Sequence, residues 1–208
     1  MGLFDFIKRK NKSGDSSKPV RQPIEANAHG QFGLLLSDFE EVVHRSTVLE
    51  DGWVNPNPDP EFEKALAAVT LGPPMRKGDV IELKWYAVRV VLWGHVIELT
   101  FEPDTVSIGL GDFVQNVNQQ LDWLSRSKDL FDDVIKRDLL QLKNASWLDE
   151  DQPPMNAEEF LQSIRLTSIN FTSHAAFSLD FDDGGLFEGH SFFVYVSSKG
   201  KVEKARIG

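Results

Sequence analysis

Residues 175–196 read AAFSLDFDDGGLFEGHSFFVYV, and this stretch decides how the rest of the chain is read. Phe177, Leu179 and Phe181 alternate with Ser178, Asp180 and Asp182, the period-two signature of a half-buried strand. Ser191 to Val196 is apolar at nearly every position, as in a strand covered on both faces. Between them lie Asp182, Asp183, Gly184, Gly185, Glu188, Gly189 and His190, the most distinctive chemistry in the chain. The glycines let the chain reverse, with Leu186 and Phe187 packed beneath the turn.

Working outward, Val202–Ile207 reads as a following strand and Ile164–Phe171 as a preceding one. Upstream, Asn156 caps a short helix with Glu158 and Glu159 in its first turn, where acids favour the helix dipole. Phe160 and Ile164 then point inward. Asn144 to Pro154 is an acidic loop holding Trp147. Two longer amphipathic helices come before it. Asp112 caps one bearing Phe113, Val117, Leu121 and Leu124 on a single face. Ser127 caps the other, with Phe131, Ile135, Leu139 and Leu142 in one stripe widened by Leu130 and Val134, and with Asp132, Asp133, Lys136 and Arg137 opposite.

Asp79 to Phe101 is the longest apolar region, and it splits into strands Val80–Trp85, Ala87–Leu92 and His95–Phe101, with Trp93-Gly94 as a tight turn. Further upstream, Gln31–Ser37 reads as a strand. Asp38 to Ser46 fits a helix opened by a Ser37–Glu40 capping box, and Val42, Val43, Thr47 and Val48 suit a strand equally. Trp53 to Pro60 is a loop. Pro60 opens a helix with Phe62, Leu66 and Val69 on one face. Strands and helices are segregated along the chain, which predicts an α+β fold: a mainly antiparallel sheet, two long amphipathic helices mid-chain and a C-terminal β-meander.

Residues 1–23 stand apart from a single domain spanning 24–208. Residues 1–22 hold six bases and two acids, about +4. The whole chain carries −10, so the remainder carries about −14. Leu3, Phe4, Phe6 and Ile7 would share one side of a short helix, a candidate weak contact with a membrane surface through residues 1–10. Asn11 to Pro23 reads as a flexible linker. Gly2 lacks the usual Ser or Thr at the sixth position, which is Phe6, so myristoylation is not expected.

Net charge of −10 and a pI near 4.9 argue against nucleic acid and fit either solubility or a basic protein partner. The chain has no cysteine, which removes thiol chemistry and fits a reducing cytoplasm. No apolar run approaches the ~20 residues that span a bilayer.

The acidic loop invites a calcium reading, with Asp180, Asp182 and Gly185 at the first, third and sixth positions of an EF-hand loop. Gly184 stands where a fifth-position ligand is needed and Ser191 where a bidentate Glu is needed, so the pattern fails. His190 with Asp182, Asp183 or Glu188 could supply metal ligands, joined by His95 if the two Gly-His strands are neighbours. Trp93-Gly94-His95-Val96 and Glu188-Gly189-His190-Ser191 echo one another, each opening an apolar strand. No nucleophile elbow, P-loop or dinucleotide fingerprint occurs. His190 and Ser191 point to opposite faces of a strand. Thirty-two acids make some carboxylate pairing inevitable, so a glycosidase-like pair stays open.

One resemblance rests on particular residues. Asn144 and Trp147, then Glu159 and Phe160, then Asp183, Gly184, Gly185, Leu186, Phe187, Gly189 and His190, and finally Ala205, Ile207 and Gly208 follow a pattern similar to that of the bacterial domain-of-unknown-function family 2262. The resemblance covers roughly residues 85–208. Gly185 stands where that family often has Asp, and Glu188 where it often has Trp. The resemblance implies an intracellular bacterial protein and leaves its activity open. By analogy with other small acidic domains it points towards immunity proteins that neutralise a toxin.

The expectation is therefore a non-enzymatic, cytoplasmic protein-binding domain, with an immunity-type protein as its narrowest form. No cofactor or metal is implied. Asp182, Asp183, Gly184, Gly185, Glu188, Gly189, His190, Trp93 and His95 are the candidate ligand or partner contacts. The rival readings are a metal-assisted hydrolase using His190 and the Asp180–Glu188 acids, and a membrane-surface adaptor acting through residues 1–10.

Overall fold

A computed structural model of the protein describes residues 21–47, 78, 80–148, 151–172 and 176–208. The expected N-terminal helix, the Trp53–Pro60 loop and the helix opened by Pro60 lie outside the described residues. Seven strands form one sheet in the order β1 (Glu40–Thr47), β2 (Val80–Leu92), β3 (His95–Phe101), β4 (Arg165–Phe171), β5 (Phe177–Asp182), β6 (Phe192–Val196) and β7 (Val202–Ile207). The pairs β2–β3, β4–β5, β5–β6 and β6–β7 are antiparallel. β3 and β4 are parallel, and a parallel pair needs a crossover. The helices supply it: α1 (Leu110–Ser125), α2 (Lys128–Ile135), a π-helical turn (Lys136–Leu140), α3 (Gln141–Ser146) and α4 (Ala157–Ser163). The fold is the expected α+β arrangement.

The chain divides into two compact units, one of residues up to Glu41 with Trp85–Gly208 and one of Val42–Lys84. Within the smaller unit, Arg45 and Lys84 both reach the Glu82 carboxylate, at 2.7 and 3.0 Å. Together they hold it below the ordinary carboxylate range.

In the larger unit, alternation decides which side of each strand is covered. Ile97, Leu99 and Phe101 of β3, Leu166, Ile169 and Phe171 of β4, and Phe177, Leu179 and Phe181 of β5 are buried. They share one core with Phe113, Val117, Leu121 and Leu124 of α1 and Phe131, Val134 and Ile135 of α2. Each such side chain contributes roughly 1.5–3 kcal/mol on leaving water. β6 corrects one expectation. Phe192, Val194 and Val196 are buried but Phe193 and Tyr195 are only half-covered, so this strand has one core face rather than two.

Five further expectations are corrected. Val80–Leu92 is one strand of 13 residues without a break. Gln31–Ser37 is not a strand: its backbone meets side chains of α1 instead of a ladder. Phe32 N–H donates to Asp122 at 2.7 Å, Leu34 N–H donates to Asn118 at 2.9 Å, and Asn118 Nδ2 donates back to Leu34 O at 3.0 Å. Leu36–Asp38 is then a 3₁₀ turn closed by Leu35 N–H donating to Asp38, not the Ser37–Glu40 box, and Glu40–Thr47 continues as strand. Helix α1 starts after Gly109, with Asp112 inside its first turn. The last correction concerns the stripe on α2. The π-turn adds a residue to the helix, so Lys143 falls on the buried side where Leu142 was expected, and Leu142 is 37% exposed. The Lys143 ammonium is satisfied by the Trp147 carbonyl.

Candidate functional site

The strand register brings one end of β3, β4, β5, β6 and β7 to a common side of the sheet. The loop Asp183–Ser191 joins β5 to β6 there. Its shape is set by carboxylates acting on backbone. Asp183 is 5% exposed. Its two oxygens accept from Gly185 N–H at 3.1 Å and from Phe187 N–H at 2.6 Å. Asp182 accepts from Gly184 N–H at 2.9 Å and sits 3.4 Å from the Arg165 guanidinium. This is the self-bonding that Asp offers a turn. Gly184, Gly185 and Gly189 have φ of 61°, 84° and 83°, a region L side chains rarely adopt. At Gly184 space is also decisive, since a Cβ would lie 2.1 Å from the Ser163 carbonyl oxygen.

Phe187 is fully buried and gathers aromatic rings from two helical segments. Trp147 meets it edge-on at 5.6 Å and Phe160 at 6.4 Å. Trp147 also stands edge-on to the His190 ring at 5.8 Å. His190 Nδ1 lies 3.3 Å from Gly208 O. A hydrogen bond to this oxygen requires the tautomer with the proton on Nδ1. Asn144 fastens the stretch before α4, donating to Met155 O and accepting from Met155 N–H, both at 2.9 Å. Asn156 accepts from Glu158 and Glu159 N–H while Glu159 reaches back to Asn156 N–H, a complete capping box.

Residues 144, 147, 159, 160, 183–187, 190 and 208 thus converge from four segments on one structural knot. All of these but residue 208 lie inside one family match. A family model described as "Uncharacterized protein conserved in bacteria (DUF2262)" matches residues 81–207. The chain belongs to this family. No curated protein and no solved structure matched it. Trp147, Phe160, Gly184, Phe187 and His190, all noted in the sequence, join the β5–β6 loop to the helical crossover.

Trp93 and His95 belong to a different place. They flank the β2–β3 turn, and β4 and β5 stand between β3 and β6. The two Gly-His strands are therefore not neighbours, and their starts are about 14 Å apart at ~4.8 Å per strand. Trp93 Nε1 donates to Leu124 O at 2.9 Å, and its ring lies 5.4 Å from Phe131. Among the described residues of this DUF2262 chain, no group of three or more His, Asp or Glu side chains is placed to hold a metal ion.

Sequence reading missed a second polar array. On the sheet face opposite the core, β-register aligns Arg89, Glu98, Ser168, Asp180, Phe193 and Arg206 in one row. Ser168 Oγ donates to Asp180 at 3.0 Å within this row, and from the neighbouring row Asn170 Nδ2 donates to the same carboxylate while Thr100 Oγ1 donates to Asn170 at 2.5 Å. The signal was present as the polar partners in each alternating strand. Which polar residues become neighbours depends on strand order, which alternation does not give. A shallow groove of about 620 Å³ runs along the π-turn, lined by Lys136, Arg137, Leu140, Gln141, Asn144 and Ala145.

Proposed function

We propose that this chain is a non-enzymatic protein-binding domain that docks a basic protein partner. The observation that carries the reading is how the signature loop spends its polar groups. The Asp183 oxygens, the His190 Nδ1 and the Asn144 amide are turned on backbone of the same chain. Among the described residues no buried side-chain nitrogen or oxygen lacks a partner. The loop's chemistry holds the fold together. What faces outward is the row on the open side of the sheet, where Phe193 lies beside Arg206 and Tyr195 follows it two residues on. Half-covered aromatic side chains among charged and hydroxyl groups are the composition of protein contact centres. A net charge of −10 favours encounter with a basic partner. An immunity-type role, in which that partner is a toxin held inactive, is the narrowest form of the reading. Its support is the charge and membership of a bacterial family.

The test is affinity capture from the native host with three baits: wild type, Phe193→Ser/Tyr195→Ser and His190→Ala. The expected result is a basic protein retained by wild type and His190→Ala and lost by the double variant, whose fold is checked by thermal melting. A partner lost with His190→Ala alone would move binding to the loop. One transition metal per purified chain, absent from His190→Ala, would replace this reading with metal-assisted hydrolysis.

A further inference from the structure

Among the described residues strand β7 is the last in the sheet, so its outer side carries main-chain groups with no described strand beside them. Such an edge is a template for pairing with another chain. The Ala205 amide does not pair with β6. It donates outward to Asp138 Oδ2 at 3.0 Å. Asp138 comes from the π-turn, which packs against β7. Its carboxylate is itself gripped by Arg137, Nε to Oδ1 at 2.7 Å and Nη2 to Oδ2 at 2.9 Å. A bidentate guanidinium fixes a carboxylate in position as well as in charge.

The side chains of β7 add a second barrier. Lys204 and Arg206 are exposed at alternate positions on one face of the strand. A second copy joined antiparallel about a two-fold axis sets residues of the same face opposite each other. The central registers then place Lys204 against Lys204, or Lys204 against Arg206. Like charges directly opposite destabilise such a pair.

The structure assigns to Asp138 the role of edge guard: by occupying the outward amide of Ala205 it keeps β7 from accepting a strand of a second copy of this chain. The π-turn is the element that carries the guard, and Lys204 with Arg206 reinforces it. A helix and inward-turned charges are established ways of blunting a sheet edge. Here the charge makes a hydrogen bond to the edge itself.

The test uses the full chain with Asp138→Ala, Asp138→Asn, Lys204→Glu and the double variant Asp138→Ala/Lys204→Glu. Asn keeps an accepting oxygen and Ala does not. Amide hydrogen exchange at Ala205 should quicken about tenfold in Asp138→Ala, the order expected for one lost hydrogen bond, and stay near wild type in Asp138→Asn. Lys204→Glu turns the repulsive 204–206 register attractive. The double variant should therefore gain mass by light scattering while Lys204→Glu alone keeps the wild-type mass. If Asp138→Ala melts below the working temperature, Asp138→Ser is read in its place. Exchange at Ala205 as fast in wild type as in Asp138→Ala, or a double variant of wild-type mass, overturns the assignment.

Discussion

Trp93-Gly94 and Glu188-Gly189 repeat one backbone shape at the same end of the sheet. Trp93 and Gly94 have φ of 52° and 80°, and Glu188 and Gly189 have 55° and 83°. A histidine follows each pair, then a strand. The first pair is a complete connection, since Leu92 faces His95 across the β2–β3 ladder, and two left-handed residues suit the twist of such a hairpin. The second pair is only the last bend of a longer loop. Trp93 sends its indole N–H to Leu124 O and its ring to Phe131, whereas Glu188 is exposed. The left-handed pair is thus a generic reversal. What ties a turn to this particular domain is supplied by Trp93 in one case and, in the other, by Asp183, Gly184 and Phe187 upstream of the bend.

If that contrast is right, damage should track the upstream residues and not the bend. Gly184→Ala should have the largest effect, because its Cβ would meet the Ser163 carbonyl at 2.1 Å on a left-handed backbone. A loss of about 4 kcal/mol or failure to fold is expected; a urea melt near wild type would show that Ser163 gives way easily. Asp183→Ala should come next. It leaves the Gly185 and Phe187 amides without their acceptor, which should cost about 3 kcal/mol. Gly94→Ala and Gly189→Ala should then cost roughly 1–2 kcal/mol each, and by equal amounts, since both have positive φ and nothing near the added methyl. Unequal losses in paired thermal melts would break the equivalence of the two bends.

The smallest effect contrasts the buried Asp183 with the partly exposed Asp138. Arg137, together with the Ala205 amide and Lys204, holds the Asp138 carboxyl below its usual range. A carboxylate depressed in the folded state contributes stability above its unfolded pKa of about 4 and loses it as pH falls through the lower folded value. Arg137 is 61% exposed, so water screens its pair with Asp138 and the contribution is small. Wild type should therefore exceed Arg137→Ala slightly in denaturation midpoint at pH 7, and the two midpoints should converge as pH falls from 5 towards 2.

Much of the fold was legible because it obeys local rules. Alternation gave β5, and helical spacing gave Phe113 to Leu124 and Phe131 to Leu139. The Trp93-Gly94 pair announced its turn. Several failures come from structure decided at long range. Phe32 and Leu34 look like strand residues, but their amides are taken by Asp122 and Asn118, about ninety and eighty-four residues away in sequence. The continuous β2 looks like two strands because β-branched runs do not show where pairing stops. The π-turn shifts a stripe that would otherwise run straight to Leu142. The loop was found from its composition, yet its roles were not. Asp183 bonds to amides two and four residues ahead, and Phe187 owes its burial to Trp147 and Phe160 from other segments.

The parallel β3–β4 pair has a consequence for how the chain assembles. β4 to β7 are joined by short reversals and need little chain ordering to meet. β3 meets β4 only after the whole helical crossover from Phe101 to Arg165 has been closed, and the length-dependent entropy of such a closure is about 4 kcal/mol. Contacts of that span slow a folding reaction more than they weaken its product. The last ladder to gain protection in a pulsed-exchange refolding experiment should be β3 with β4, the seam where two separately formed hairpin systems become one sheet.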